Sequence, residues 1–447
     1  MTAAAPTAPR ATLSVLEGVA FIVGVVIGIG IFKTPPLVAA NVGSEAGFIG
    51  LWLLGGLATL IGALCYAELG ASRPDAGGEY KFLADAYGRA PSLLFAWARG
   101  TVIQTGAIAA VAFVFGDYAN QILPLGPYGP ALHAGIVVAA VTAINLTGTP
   151  QTAATQSVFT TLTIVAILAV VAAGAIAAGN GTAPVQPTPS EPVSGAAGLA
   201  LVFILLTYGG WNEAAYLTAE VRDVRRNMIR ILLLATAILV FVYGLVNAAY
   251  LAAFGLEGLR NTDAVAADLM RRVAGDSGAV LLSLIVCAAS LSTLNATVFT
   301  GARAYYAFGR DFPVLRRLGV WSAHGDNPVN ALLLQAAIAL ALIAFGAVAR
   351  DGFTAMVEYT APVFWFFLFL VALSLFVFRW REPGRPLPFR VPLYPLTPIL
   401  FCLICLAMLY SSLVYTGLGA MVGIVVVLLG TPLLLLDRGR VTTAAAE

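Results

Sequence analysis

Long apolar stretches, broken by short polar segments rich in arginine, glycine and proline, fill the chain from Leu13 to Leu436. A helix advances about 1.5 Å per residue, so about 20 apolar residues cross a hydrocarbon core of about 30 Å. The pattern predicts twelve spanning helices, near 13–40, 46–71, 92–119, 131–148, 155–178, 196–220, 228–254, 278–308, 329–348, 354–378, 394–415 and 417–436. Short helices at 75–89 and 259–273 are expected on the surface. The stretch 179–194, rich in Pro, Thr and Gly, reads as a connecting loop. The fold class is an all-α integral membrane protein.

Composition sharpens this. Of 447 residues, 60% are hydrophobic and 10% charged, against about a quarter charged in soluble proteins. So few charges cannot cover the apolar surface in water, which excludes a soluble enzyme and a disordered chain. The net charge of +2 gives no reason to expect nucleic acid as a partner. The lipid bilayer is the partner this composition requires. Residues 1–11 lack the basic start and cleavage site of a signal peptide, so the first span is expected to stay. Cys402 and Cys405 have the spacing of a metal clip but sit among leucines, which reads as packing.

Basic residues orient the spans. One side collects Arg10, Arg73, Lys81, Arg89, Arg99, Arg222, Arg225, Arg226, Arg230, Arg303, Arg310, Arg316, Arg317, Arg379, Arg381, Arg385, Arg390, Arg438 and Arg440. The other receives Arg260, Arg271, Arg272 and Arg350. Both termini are therefore expected to be cytoplasmic, in an inner or plasma membrane.

Two spans contain what a spanning helix should avoid. The first reads GIGIF at 28–32, followed by Lys33, Thr34, Pro35 and Pro36; the sixth reads TYGGWN at 207–212, followed by Glu213. Glycines followed by prolines, or paired glycines followed by an amide and a carboxylate, favour unwinding at mid-membrane. Close helix packing through small residues is the other reading of each. The two breaks lie about 180 residues apart, each in the first helix of a five-span unit. An odd number of spans inverts the second unit relative to the first. Paired interruptions in inverted repeats point to a secondary transporter's binding site. Freed N–H groups there can meet a carboxylate, and freed carbonyls an ammonium, which suits a zwitterion.

The stretches GIGIF at 28–32, YAELGASRPDAGG at 66–78, TYGGWN at 207–212, 218–230, LNATVFTGAR at 294–303 and FRVPLYPL at 389–396 resemble the amino acid–polyamine–organocation (APC) superfamily. Within it, the chain most resembles the bacterial relatives of the L-type amino-acid transporters. The resemblance implies the sodium-coupled leucine transporter-type fold: 12 transmembrane helices in a 5+5 inverted repeat, with helices 1 and 6 broken. Repeat 1 would occupy 12–178, repeat 2 195–378, and two further helices 379–436, between tails 1–11 and 437–447. It also implies alternating access. The substrate carboxylate would meet the N–H groups of Ile29 and Gly30, with Gly28 permitting the turn. The amino group would meet carbonyls of Val26, Leu206, Thr207 and Gly209, and Asn212 would hold the unwound part of span 6 and contact substrate.

This chain departs from the family pattern at three places. Ile29 replaces a small polar residue between the glycines, where only its N–H is needed. Leu206 stands where an aromatic gate is common. In span 5, Thr163 stands where many exchangers carry a lysine, so a fixed positive charge is absent. Span 8 offers Ala289, Ser292 and Thr293 on one helical face. With carbonyls of Gly24 and Ile27 they form a candidate sodium site of the kind that sodium-coupled relatives use. Back-bonding of the hydroxyls to their own helix is the competing reading.

Lys33 is read as a long side chain snorkelling to an outer vestibule, with an extracellular gate as the alternative. Glu213 is a coupling candidate as a proton carrier if desolvated, or else a partner for a base. Glu358 reads as solvated at the mouth of span 10. Glu68, Arg73 and Arg99 read as a salt-bridge cluster at the inner end. The expected function is transport of neutral L-amino acids, with sodium symport, proton symport and exchange as competing modes. A polyamine substrate and a non-transporting amino-acid receptor are the alternatives. No nucleophile–base pair with intramembrane spacing suggests an enzyme. No cofactor is expected beyond a candidate Na+ coupling ion, and the sequence names no partner subunit.

Overall fold

Helix α1 (Val15–Val26) starts on a capping box, in which Glu17 Oε2 accepts from Ser14 N at 2.8 Å and the Ser14 side chain accepts from Glu17 N. The box satisfies backbone donors that a helix start otherwise leaves free. The computed structural model describes residues 13–73, 78–147, 153–179, 197–213, 221–322, 327–349, 351–415 and 417–436. The tails 1–11 and 437–447, and the loop read over 179–194 beyond Gly179, lie outside the described residues.

After α1 come a 3-10 turn (Ile29–Phe32), α2 (Thr34–Ala39), α3 (Glu45–Ser72) and a short α4 (Glu79–Tyr87). Helix α5 (Arg89–Ala98) runs through a π-turn (Arg99–Gln104) into α6 (Thr105–Ile122). Then follow α7 (Gly129–Leu146), α8 (Ala153–Gly179), α9 (Ala197–Thr207), a second 3-10 turn (Trp211–Glu213) and α10 (Val224–Arg260). The chain continues through α11 (Val265–Asp311), α12 (Val329–Ala347), α13 (Gly352–Arg381), α14 (Leu396–Tyr415), α15 (Leu418–Leu428) and α16 (Pro432–Leu436).

Among the described residues, ten helical runs are long and apolar enough to cross a membrane, and Val15–Gly24 and Ala197–Thr207 are shorter apolar helices. The segment 259–273, expected as a surface helix, is instead interrupted at 261–264, and its helical part from Val265 is buried at Val265, Ala266, Ala267 and Leu269. The π-turn in the third span was not visible in the apolar pattern. Large apolar side chains such as Leu132, Ile136, Leu284, Leu403 and Leu413 point outward, as lipid-facing positions do. All four cysteines are free thiols and buried, Cys402 and Cys405 among them.

Small residues on α3 bring α9 close. A Cβ on Gly62 would meet the Trp211 and Phe401 rings at 2.7 Å, and one on Gly55 or Gly56 would collide with Ile204 or Val240. Into this groove pack Trp52, Tyr208 and Tyr243, with ring centroids 4.9 to 6.1 Å apart. The aromatic wedge holds both interrupted segments against α3 and α10.

Candidate functional site

Both interruptions are present in the backbone. Ile27 leaves the helix (φ −67°, ψ 88°), Gly28 is extended (φ −116°, ψ −167°), and the first 3-10 turn follows. Helix α9 ends at Thr207, Gly210 takes φ +101°, and the second 3-10 turn follows. That left-handed value is one glycine enters freely and other residues rarely adopt. Gly210 is therefore the glycine the second turn needs. Gly28, by contrast, is extended, a conformation other residues also adopt. A Cβ on Gly28 would meet only the Val26 carbonyl, at 3.8 Å, whereas one on Gly30 would press on Thr207 at 3.1–3.2 Å. Gly30 is small so that the first break can lie against the second.

Tyr243, on α10, ties the two breaks together. Its hydroxyl lies 2.9 Å from the Val26 carbonyl oxygen and 3.2 Å from that of Thr207, sharing one proton between them. Thr34 Oγ1 donates to the Gly30 carbonyl at 2.9 Å and lies 2.7 Å from Thr207 Oγ1. Tyr118 donates to the Phe32 carbonyl at 2.8 Å, and Gly209 N donates to the Leu206 carbonyl at 3.0 Å. Of the four carbonyls expected to receive an ammonium, Val26, Thr207 and Leu206 thus already accept one hydrogen bond. A carbonyl oxygen has two lone pairs, so each keeps acceptor capacity. Tyr243 and Tyr118 escaped the sequence reading because a tyrosine in an apolar helix looks like core.

A cavity of about 210 Å³ lies against the second break. Leu206, Gly209, Gly210 and Asn212 form one wall, Ile103 and Ala107 another, and Thr360, Phe364 and Trp365 of α13 a third. Its described lining carries no ionisable side chain, and no described residue of the first break reaches it. Asn212 also contacts buried Glu79, with Nδ2 3.4 Å from Oε1. Glu79 accepts from Tyr66 at 3.1 Å and from Arg99 at 2.6 Å. A polar chain therefore runs from the cavity to α4 and the π-turn.

The remaining expected residues divide. Thr163 and Ser292 are buried, and Thr293 Oγ1 donates to the Ala289 carbonyl at 3.3 Å, the back-bonding arrangement. The Glu213 side chain lies outside what is described, although its backbone belongs to the second 3-10 turn. Glu358 is half-buried against Gly417 and Gly419 rather than freely solvated. Lys33 does not snorkel. It is 6% exposed, with Nζ 2.8 Å from Asp117 and 3.2 Å from Asp351. Asp117 comes from α6, and Asp351 caps α13 by accepting from Phe353 N and Thr354 N. Two carboxylates within reach outweigh the pull of water on the ammonium. The residues expected to cluster at the inner end are all paired, but not with one another: Glu68 with Arg379, Arg73 with Asp85 and Glu382, and Arg99 with Glu79.

A multi-pass membrane bundle in which two interrupted apolar helices lie against each other, with a cavity beside the second, has the architecture of a secondary transporter. A family model described as "Amino acid permease" matches residues 13–431. The chain belongs to that family, within the APC superfamily, and is a secondary transporter for amino acids rather than an enzyme. It is 29% identical to the b(0,+)-type amino acid transporter 1 of Mus musculus, over 91% of this chain and 84% of that protein. It is 28% identical to the human Large neutral amino acids transporter small subunit 2, over 94% of this chain and 79% of that protein. Against the Asc-type amino acid transporter 1 of Mus musculus it is 26% identical, over 95% and 80%.

Proposed function

We propose that the protein carries neutral L-amino acids by alternating access, as an L-type-like member of its family. The observation that carries this is the cavity beside the second break: about 210 Å³, apolar walls, with Asn212 and Thr360 as polar points and no charge among its described lining residues. Such walls accept an uncharged side chain and leave an ammonium or carboxylate side chain unpaired, which costs several kcal/mol at membrane depth. The amino-acid backbone is then held at the breaks. Its carboxylate meets the N–H groups of Ile29 and Gly30, and its ammonium the free acceptor capacity of Val26, Leu206, Thr207 and Gly209. Leu206 shields the bound side chain. The similarity to a protein named for large neutral amino acids supports the substrate class.

This reading takes the bundle as two inverted five-helix repeats, 12–178 and 195–378, followed by 379–436, with both termini cytoplasmic in an inner or plasma membrane. The arginine excess supports that orientation. For coupling, sodium at Gly24, Ile27, Ala289, Ser292 and Thr293 is the mode to test first, because Thr163 supplies no ammonium there. Proton coupling through Glu213 and obligate exchange are its rivals.

The test is uptake of labelled amino acids into proteoliposomes with and without internal amino acid. Leucine-sized neutral substrates should enter and compete with each other, while lysine and putrescine should compete at least about tenfold less well. Preferred uptake of a polyamine would overturn the substrate class. Binding of amino acids without any flux would move the protein to the receptor reading.

A further inference from the structure

At the end of the molecule opposite Lys33 lies a separate cavity of about 390 Å³, between the ends of α3 and α13 and the segment that leads into α14. Four arginines line it, Arg73, Arg379, Arg385 and Arg390, against two carboxylates, Glu68 and Glu382. Both carboxylates are spent. Glu68 takes Arg379 Nε and Nη2 at 2.7 and 2.6 Å and Val391 N at 2.6 Å. Glu382 takes Arg73 at 2.6 Å and Arg385 at 2.7 Å. Arg390 is exposed and makes no ion pair among the described residues. The Arg73 Nε is buried with no hydrogen-bond partner among them. The lining thus holds four cations against two carboxylates, Arg73 being shared with Asp85 outside it, and keeps unspent donors.

The rim has the opposite character. Trp380, which lines the cavity, is 82% exposed, and Leu393, next in sequence to the lining residue Tyr394, is 75% exposed. Trp and Tyr at the end of a spanning helix mark the level where headgroups meet acyl chains. A free phosphate would answer the arginines and leave this apolar rim bare. A ligand with an anionic headgroup and acyl chains answers both, and basic pockets between spanning helices are suited to anionic lipid headgroups.

We propose that this cavity binds an anionic phospholipid, its phosphate met by Arg385 and Arg390 and its acyl chains lying over Trp380 and Leu393. Arg73 and Arg379, less exposed than Arg385, shape the floor. The bound lipid would bridge α3, α13 and the segment before α14.

The test uses the full chain, purified and delipidated in neutral detergent, then titrated with phosphatidylglycerol, phosphatidylcholine or inorganic phosphate. Bound lipid is counted by native mass spectrometry. Phosphatidylglycerol should be retained at least about tenfold over phosphatidylcholine. The double variant Arg385→Gln/Arg390→Gln should lose about tenfold or more of that preference, as removing two basic groups at a membrane surface should. Trp380→Ala should weaken retention of phosphatidylglycerol. Arg390→Gln alone carries the test if the double variant is unstable, because Arg390 holds no described carboxylate. Equal retention of the two lipids, or an unchanged preference in the Arg390→Gln variant, would overturn the proposal. Displacement of the lipid by millimolar inorganic phosphate would reassign the site to a free anion and overturn the lipid.

Discussion

Replacing Lys33 by methionine keeps an unbranched apolar stem and removes the ammonium that lies between two carboxylates. At an effective dielectric of about 20, unit charges about 3 Å apart attract by about 5 kcal/mol before desolvation is counted. The relevant quantity is what remains when the lysine is gone. Asp117 and Asp351 then face each other, with side chains 16% and 31% exposed. Breaking a buried ion group by removing one partner costs about 3–5 kcal/mol. Water reaches Asp351 well enough to place this case at the lower end, about 3 kcal/mol. Because the triad joins the start of α2 to α6 and α13, the loss falls on the arrangement in which these helices are closed together. Thermal unfolding in detergent should show Lys33→Met several degrees below wild type. Adding Asp117→Asn and Asp351→Asn to that variant should recover part of the loss, since neutral amides no longer repel. A Lys33→Met protein that melts with wild type, or a triple variant no better than the single, would refute the reasoning.

Four further outcomes follow from the geometry of the breaks. Gly28→Ala meets only the Val26 carbonyl, at an ordinary 3.8 Å, so the protein should fold normally while amino-acid affinity falls if substrate lies there; Gly30→Val presses on Thr207 and should abolish transport, with a loss of stability visible in a melting curve. Tyr243→Phe leaves the Val26 and Thr207 carbonyls one donor short, at a cost of about 1–3 kcal/mol, and unchanged melting would show that water or substrate replaces the hydroxyl. Leu206→Ala should slow transport more than it weakens binding, which parallel uptake and binding measurements separate. On coupling, substrate affinity and sodium affinity should raise each other by the same factor. Ser292→Ala and Thr293→Ala should reduce that factor, Thr163→Lys should remove it, and binding indifferent to replacing sodium with choline would eliminate the sodium site.

The helices were legible because bilayer thickness imposes a length on every apolar run, and the breaks because glycine pairs interrupt such runs at Gly28–Gly30 and Gly209–Gly210. What the glycines do individually was not legible. Gly28 looked like a turn residue and is extended, while Gly210 carries the positive φ, since φ depends on how the chain leaves the helix rather than on the motif. The partners of Lys33 were hidden because Asp117 is more than 80 residues away in sequence and Asp351 more than 300. Nothing periodic connects them. Tyr243 was hidden for a similar reason: its hydroxyl caps two carbonyls in other helices, and one sequence shows no such pairing. Glu68, Arg73 and Arg99 were recognised as paired, but their partners are chosen by the packing of α3, α4 and α13.

The central claim is that the cavity beside Leu206 and Trp365 receives a neutral substrate side chain. Ala107→Phe, placing a ring in that cavity of about 210 Å³, tests it most directly. Uptake of leucine and alanine is measured side by side in proteoliposomes of wild type and variant. The account predicts that leucine uptake collapses while alanine uptake survives within a few-fold. Loss of neither, or a leucine-to-alanine ratio equal to that of wild type, would contradict it.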